Sequence, residues 1–247
     1  MNYTLEICTG SYYDALEAYK GRADRIELNS ALHLGGLTPS LASLILTKQN
    51  TGLKTICMVR PRGGGFCYNE TDTKTMYADA EILLQSGADG IAFGFLNEDY
   101  TIDIPKTEHM VSIIKQYNKE AVFHRAFDCT DDPYSSIETL IKLGIDRVLT
   151  SGLRNKAMEG KELIKDLQNK YGNKIEILAG SGINSTNALD LINYTKINQV
   201  HSSCREWLSD STTSNTNVSY SYNGKDEYDV VSSIKVKELK NSLCGKQ

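Results

Sequence analysis

The chain lacks a CxxC pair, lacks zinc-ribbon spacing among its six cysteines, lacks G-x-G-x-x-G after its first apolar run, and has no excess of basic residues. Each absence removes a class of protein. Without paired spacing, Cys8, Cys57, Cys67, Cys129, Cys204 and Cys244 read as reduced thiols packed as small hydrophobes, not as a disulfide framework. Without the glycine fingerprint, a dinucleotide-binding sheet loses its main support, and no nucleotide cofactor is expected. Lys and Arg number 27 against 31 Asp and Glu, a net charge of −4. Such a balance gives no general attraction to nucleic acid or to anionic membranes, so any recognition of an anion must be local. The N-terminal MNYTLEICTG has no basic segment followed by an apolar run, and no stretch approaches the ~20 apolar residues that cross a bilayer. A cytoplasmic protein without a membrane partner is expected. The C-terminal CGKQ places Gly245 and Lys246 at the aliphatic positions of a prenylation box, so that modification is not expected.

What is present is a repeat of short apolar runs, each followed by a helical pattern. The runs are Leu5 to Cys8, Arg25 to Leu28, Thr55 to Val59, Gly90 to Phe93, Ala121 to His124, Arg147 to Thr150, Ile175 to Ala179 and Gln199 to Ser202. Between them, apolar residues recur at three- and four-residue spacing, as in SLASLILTKQ and PYSSIETLIKLG. Thr38 before Pro39, Asp132 before Pro133, and Ser185 or Thr186 offer helix-starting caps; Gly21, Gly87, Gly144 and Gly172 sit where helices should stop. Eight strand–helix units in about 200 residues fit a single (β/α)8 TIM barrel spanning 1–247 better than an open doubly wound sheet. The Ser-, Thr- and Asn-rich stretch 209–227 reads as a mobile loop after the eighth strand, either a lid or plain surface disorder, and 228–243 as a closing helix.

Alternation within a strand separates residues facing the helices from residues facing the barrel interior. In LEIC, Leu5 and Ile7 face the helices, so Glu6 and Cys8 point inward; in RIELN, Arg25, Glu27 and Asn29 point inward. Two carboxylates inside one barrel need cationic or hydrogen-bonding partners. Candidates at neighbouring strand ends are Arg60 and Arg62 in RPRGGG, His124 and Arg125 in FHRAFD, and His201 in VHSS. That rim is where barrel enzymes build their sites, although ion pairs can also simply plug a barrel. Two glycine-containing turns, LTSG with Ser151 and AGSGIN with Gly180 and Gly182, would let backbone N–H groups approach an anion.

The strings LEICTGSYYDALEA, ADRIELNSALHLGGLTPS, MVRPRGGGFCYNE, GADGIAFGFL, FHRAFDCTDDP, ILAGSGIN and VHSSCR, in this order, resemble the CutC family of copper homeostasis proteins. The resemblance implies a TIM barrel, a cytoplasmic location, a homo-oligomer and a role in copper tolerance or Cu(I) handling. The family's polar motif positions fall on Glu6, Glu27, Arg60, Arg62, His124, Arg125, Asp128 and His201. A cysteine of its first-strand motif matches Cys8; a second, ending the next strand motif, is Asn29 here, and an amide is a poor ligand for soft Cu(I). Cys204, three residues after His201, gives an H-x-x-C pair that would restore a soft site if it lay beside Cys8.

Two functions are therefore expected to compete. One is Cu(I) binding through Cys8 and Cys204, with His201 and Cys67 as further soft donors. The other is an enzyme acting on a small anionic metabolite, phosphorylated ones included. In that reading His124 or Glu27 serves as base, with Glu6 and Asp128 as partner acids. Arg60, Arg62, Arg125, Ser151, Gly180, Gly182 and His201 then bind the substrate.

Overall fold

Eight parallel strands close on themselves in sequence order in the computed structural model, which describes residues 3–244. They are β1 (Thr4–Thr9), β2 (Arg25–Leu28), β3 (Lys54–Met58), β4 (Gly90–Phe93), β5 (Glu120–Phe123), β6 (Arg147–Thr150), β7 (Glu176–Ala179) and β8 (Gln199–Ser202). Seven helices connect or follow them: α1 (Tyr12–Lys20), α2 (Leu41–Thr51), α3 (Glu70–Gln85), α4 (Ile104–Gln116), α5 (Pro133–Lys142), α6 (Lys161–Tyr171) and α7 (Ala188–Thr195). This is the TIM barrel that the repeat of strand and helix predicts, and the open sheet is excluded by the pairing of β1 with β8.

Two separate apolar regions hold it together. Leu5, Ile7, Ile26 and Leu28 have no exposed surface and belong to the large core between strands and helices. Ile56, Met58, Ala92 and Val122 form a second cluster on the alternate positions of β3, β4 and β5, so the lumen is apolar on that side. The two clusters are what period-two alternation demands of a closed sheet.

Helix ends differ in detail from the sequence expectation. Asp132 does cap α5, accepting from the Tyr134 N–H. Ser40, not Thr38, caps α2 by accepting from Ser43, while the Thr38 hydroxyl donates to the Arg60 carbonyl oxygen. Asn187, not Ser185 or Thr186, stands before α7. Gly87 and Gly144 adopt left-handed φ of 99° and 79°; Gly21 and Gly172 end their helices in right-handed conformation.

The stretch after β8 contains more regular structure than a bare loop. An antiparallel pair, β9 (Arg205–Ser209) and β10 (Glu227–Val231), frames it, and Tyr222 stacks on His33 of the β2–α2 connection at 4.7 Å. The expected helix over 228–243 is accordingly shorter: α8 runs Ser233–Leu243, because Glu227–Val231 pair as a strand. No helix among the described residues is long and apolar enough to cross a membrane.

Candidate functional site

The barrel interior is filled in layers, and the lowest is ionic. Arg25, Lys54, Glu120, Arg147, Glu176 and Gln199 are each the first residue of their strand, which puts them at one end of the barrel. There they join hands. Lys54 pairs with Glu120; Arg147 donates to Glu120 at 3.0 Å and to Glu176 at 2.8 Å. Gln199 donates to Glu176 at 3.2 Å and accepts from Arg25 Nη2 at 2.8 Å. Arg25 Nε reaches the next layer, donating to Glu6. The partners of Glu6 are therefore Arg25 and His201, not the rim arginines Arg60 or Arg62.

Register explains the second layer. Glu6 lies opposite Arg25 on β2 and opposite His201 on β8, so its two oxygens meet one cation from each side. His201 Nδ1–H donates to Glu6 Oε1 at 2.7 Å. Burial alone would push the Glu6 carboxyl up, but Arg25 and His201 outweigh it and hold it well below the usual carboxylate range. Burial would likewise depress His201; hydrogen bonds to Cys8 and Glu6 overcome this and raise it well above 6.5.

Above it sits a layer of Cys8, Glu27 and His201, whose ligating atoms all lie within 4.8 Å of one another. Cys8 Sγ is 3.9 Å from Glu27 Oε2, and Asn29 Nδ2 donates to both, at 3.7 Å to the sulfur and 3.1 Å to the carboxylate. Burial pushes the Cys8 thiol up, opposed by His201; burial and the Glu6 charge raise Glu27. Glu6 and Glu27 thus titrate apart, one held ionised, the other held toward its neutral form. This trio forms the floor of a cavity of about 460 Å3 at the C-terminal mouth, whose wall includes Met58, Arg60, Phe66, His124, Arg125 and Gly182.

The remaining expected residues are distributed differently around that mouth. Arg60 is buried and its Nη groups donate to the carbonyl oxygens of Leu34, Gly36 and Gly64, tying the loops after β2 and β3 together. Arg62 stays out of the cavity wall: it pairs with Asp72 at 2.8 Å and its guanidinium covers the Tyr68 ring, so the two arginines do not form one clamp. Asp128 is consumed by local structure, accepting from Arg125, Thr150, the Ser151 N–H and hydroxyl, and the Leu153 N–H. Ser151 in turn takes Arg125 Nη2 at 2.7 Å. Gly180 leaves room beside His201, where a Cβ would approach its Cβ to 3.4 Å. Ser181 and Gly182 both have left-handed φ, 80° and 72°, at the cavity edge.

Cys204 is not brought to Cys8. Its thiol turns to Ser202 Oγ at 3.6 Å and lines a different cavity with Lys235 and Glu238, because its backbone takes φ 40° as the chain leaves β8. Cys67 is exposed and outside the trio, as are Cys129 and Cys244, so half of the thiols expected to pack as hydrophobes face solvent. Sequence reasoning missed the lowest ionic layer. Its signal was there, a charged or amide residue at or next to the start of six of the runs: Lys54 and Glu120 one position before, Arg25, Arg147 and Gln199 at the first position, and Glu176 at the second.

Comparison with known proteins fits this picture. The CutC family model matches residues 3–206. The chain belongs to the CutC family. It is 48% identical over 200 residues to a CutC family protein of Treponema denticola, covering 81% of this chain and 80% of that one. It is 39% identical over 203 residues to the human copper homeostasis protein cutC homolog, covering 82% and 74%. A crystal structure of a CutC from Streptococcus agalactiae superimposes with a TM-score of 0.77 at 30% identity, covering 81% of this chain and 98% of that one. The family match stops at residue 206, so most of the β9–β10 hairpin and all of α8 lie beyond it.

Proposed function

We propose that this CutC family member takes up Cu(I) as cargo on the floor of its barrel mouth, with Cys8 and His201 as the principal donors and Glu27 beside them. The observation that carries the reading is the His201 ring. Its Nδ1 is anchored on Glu6, and the ring also interacts with Cys8, within reach of a shared ion. A ligating histidine ordinarily donates its second ring N–H to a carboxylate, which fixes the tautomer and turns the free lone pair on the metal. Glu6 supplies that support, and Arg25 in turn holds Glu6. Thiolate and imidazole suit a soft monovalent ion of low coordination number. Asn29, where the family motif has a second cysteine, instead orients Cys8 and Glu27 through its amide N–H groups.

The site chemistry has a definite proton balance. Ligation needs the Cys8 thiolate and a free lone pair on the His201 ring, so ion uptake releases protons from the layer. The Nδ1 proton stays on the Glu6 hydrogen bond throughout.

The test is an anaerobic Cu(I) titration of reduced protein against a competing chelator, with Cys8→Ser, His201→Phe and Cys204→Ser in parallel. One equivalent bound tightly, lost in the first two variants and kept in the third, supports the site. Binding retained in Cys8→Ser removes it. Zn(II) bound tightly where Cu(I) is not would reassign the trio to a harder metal, which a Cys, His and Glu donor set also accepts.

A further inference from the structure

Two buried N–H groups in the wall of the mouth cavity have no acceptor among the described residues: Nε2 of His124 and Nε of Arg60. Both residues are almost wholly buried, at 3% and 5% exposure, and both line the same cavity. They also share a neighbour. The Arg60 guanidinium lies 5.3 Å from the centroid of Phe66, and the His124 ring lies 5.0 Å from the same centroid.

The protonation of His124 follows from its contacts. It caps the tight turn Arg125–Cys129, and its Nδ1 accepts from the Ala126 N–H at 3.1 Å. An Nδ1 that accepts carries no proton, so in the neutral ring the proton is on Nε2. Burial, aided by the Arg60 charge, depresses this histidine to about 3. At neutral pH it is an uncharged, fixed donor and not the general base that its sequence context suggests. Gly94 makes the arrangement possible, since a Cβ there would come within 2.7 Å of His124 Cε1.

Arg60 adds a charge without a counter-ion. Its Nη groups donate to the carbonyl oxygens of Leu34, Gly36 and Gly64 and the guanidinium also interacts with the Tyr68 hydroxyl; these partners are neutral, and no carboxylate among the described residues forms an ion pair with it. A buried cation with neutral partners and one idle donor favours an anion in the adjoining space.

We propose that this wall is an oxyanion subsite, in which the Nε2–H of His124 and the Nε–H of Arg60 receive a carboxylate or phosphate group of a small molecule. It is separate from the Cys8, Glu27 and His201 floor and does not rest on copper binding. Arg125, whose Nε and Nη2 are held by Asp128 and Ser151, flanks the same cavity and adds positive potential to it.

The test uses 15N-labelled full-length protein in the presence of a copper chelator. Long-range 1H–15N spectra identify the His124 nitrogens while sodium phosphate or, separately, sodium acetate is titrated at constant ionic strength against sodium chloride. The expected result is a protonated Nε2 in the free protein and a saturable shift of its signal with one of the two oxyanions, absent with chloride. Which oxyanion saturates decides between phosphate and carboxylate. His124→Phe should weaken that binding by roughly tenfold or more, the loss expected for one hydrogen bond to a charged group. A protonated Nδ1, or no saturable response to either oxyanion, overturns the assignment and leaves the two donors to water. If His124→Phe does not fold, the wild-type titration alone decides.

Discussion

Replacing Arg25 by Met tests whether the ionic interior is held together as its geometry implies. Met keeps much of the side-chain length and removes the guanidinium that joins Glu6 to Gln199. Glu6, 2% exposed, then keeps His201 as its hydrogen-bonded cation among the described residues, with the Arg147 charge acting from further off. Removing one member of a buried pair costs about 3–5 kcal/mol, because the stranded charge keeps its desolvation penalty. For a chain of this size each kcal/mol moves the melting temperature by about 2–4 °C, so a fall of roughly 6–20 °C is expected. The double variant Arg25→Met, Glu6→Gln removes both charges and should recover at least about half of the loss, giving a coupling of about 2 kcal/mol or more. Urea unfolding followed by circular dichroism supplies the free energies. The pH dependence has a fixed sign. The folded Glu6 carboxyl is held below its unfolded value near 4.5, so the stability it contributes is present above that value and is lost as pH falls through the folded one. The double variant should therefore lose less stability on acidification than the wild type. A single-variant cost under about 1 kcal/mol, or costs that simply add, would refute the reasoning by making the pair equivalent to a solvated surface one.

Three further outcomes are expected. Gly21→Ala should cost about 1–3 kcal/mol in thermal unfolding; the backbone there is unstrained, but a Cβ would stand 2.4 Å from Val236 and 2.8 Å from the Ser233 carbonyl oxygen on α8, and an unchanged melt would mean that α8 does not pack on the end of α1. Asp128→Ala should cost about 2–3 kcal/mol by stranding the buried Thr150 hydroxyl and Ser151 amide, whereas a stable variant in which ligand binding or turnover is lost would make Asp128 a functional carboxylate and not a structural one. Asn29→Cys should strengthen Cu(I) binding by about tenfold or more, since it offers a second thiolate next to Cys8; unchanged affinity in competition titration would argue against Cys8 as a ligand.

Most of the architecture was legible because a barrel strand advertises itself by alternation and short length. β2, β4, β6 and β8 coincide with the apolar runs in the sequence. β3, β5 and β7 each begin one residue away from the run, for a physical reason. Lys54 and Glu120 are charged residues taken for loop, whereas in the folded chain their neighbours on the ring neutralise them. The inward placement of Glu6, Cys8 and Glu27 was legible for the same reason of alternation. What one strand cannot reveal is who stands beside it. The pairing of Glu6 with Arg25 and His201 depends on register across three strands, and the diversion of Cys204 depends on one left-handed residue after β8. The role of His124 depends on an N–H two residues further on. That contact turns a residue that reads as a base into a donor.

The ring of first-position residues gives the barrel an ionic plug beneath the Cys8, Glu27 and His201 floor. Arg25, Arg147 and Gln199 are each at most 5% exposed, and hydrogen bonds link them to Glu120, Glu176 and Glu6 across that end of the barrel. A small molecule or ion that reaches Cys8, Glu27 and His201 through the mouth cavity passes His124 and Arg125 in its wall. Under the proposed function, a partner that delivers or collects the ion at this mouth would meet the β9–β10 hairpin, whose Arg205 lies on the cavity's edge.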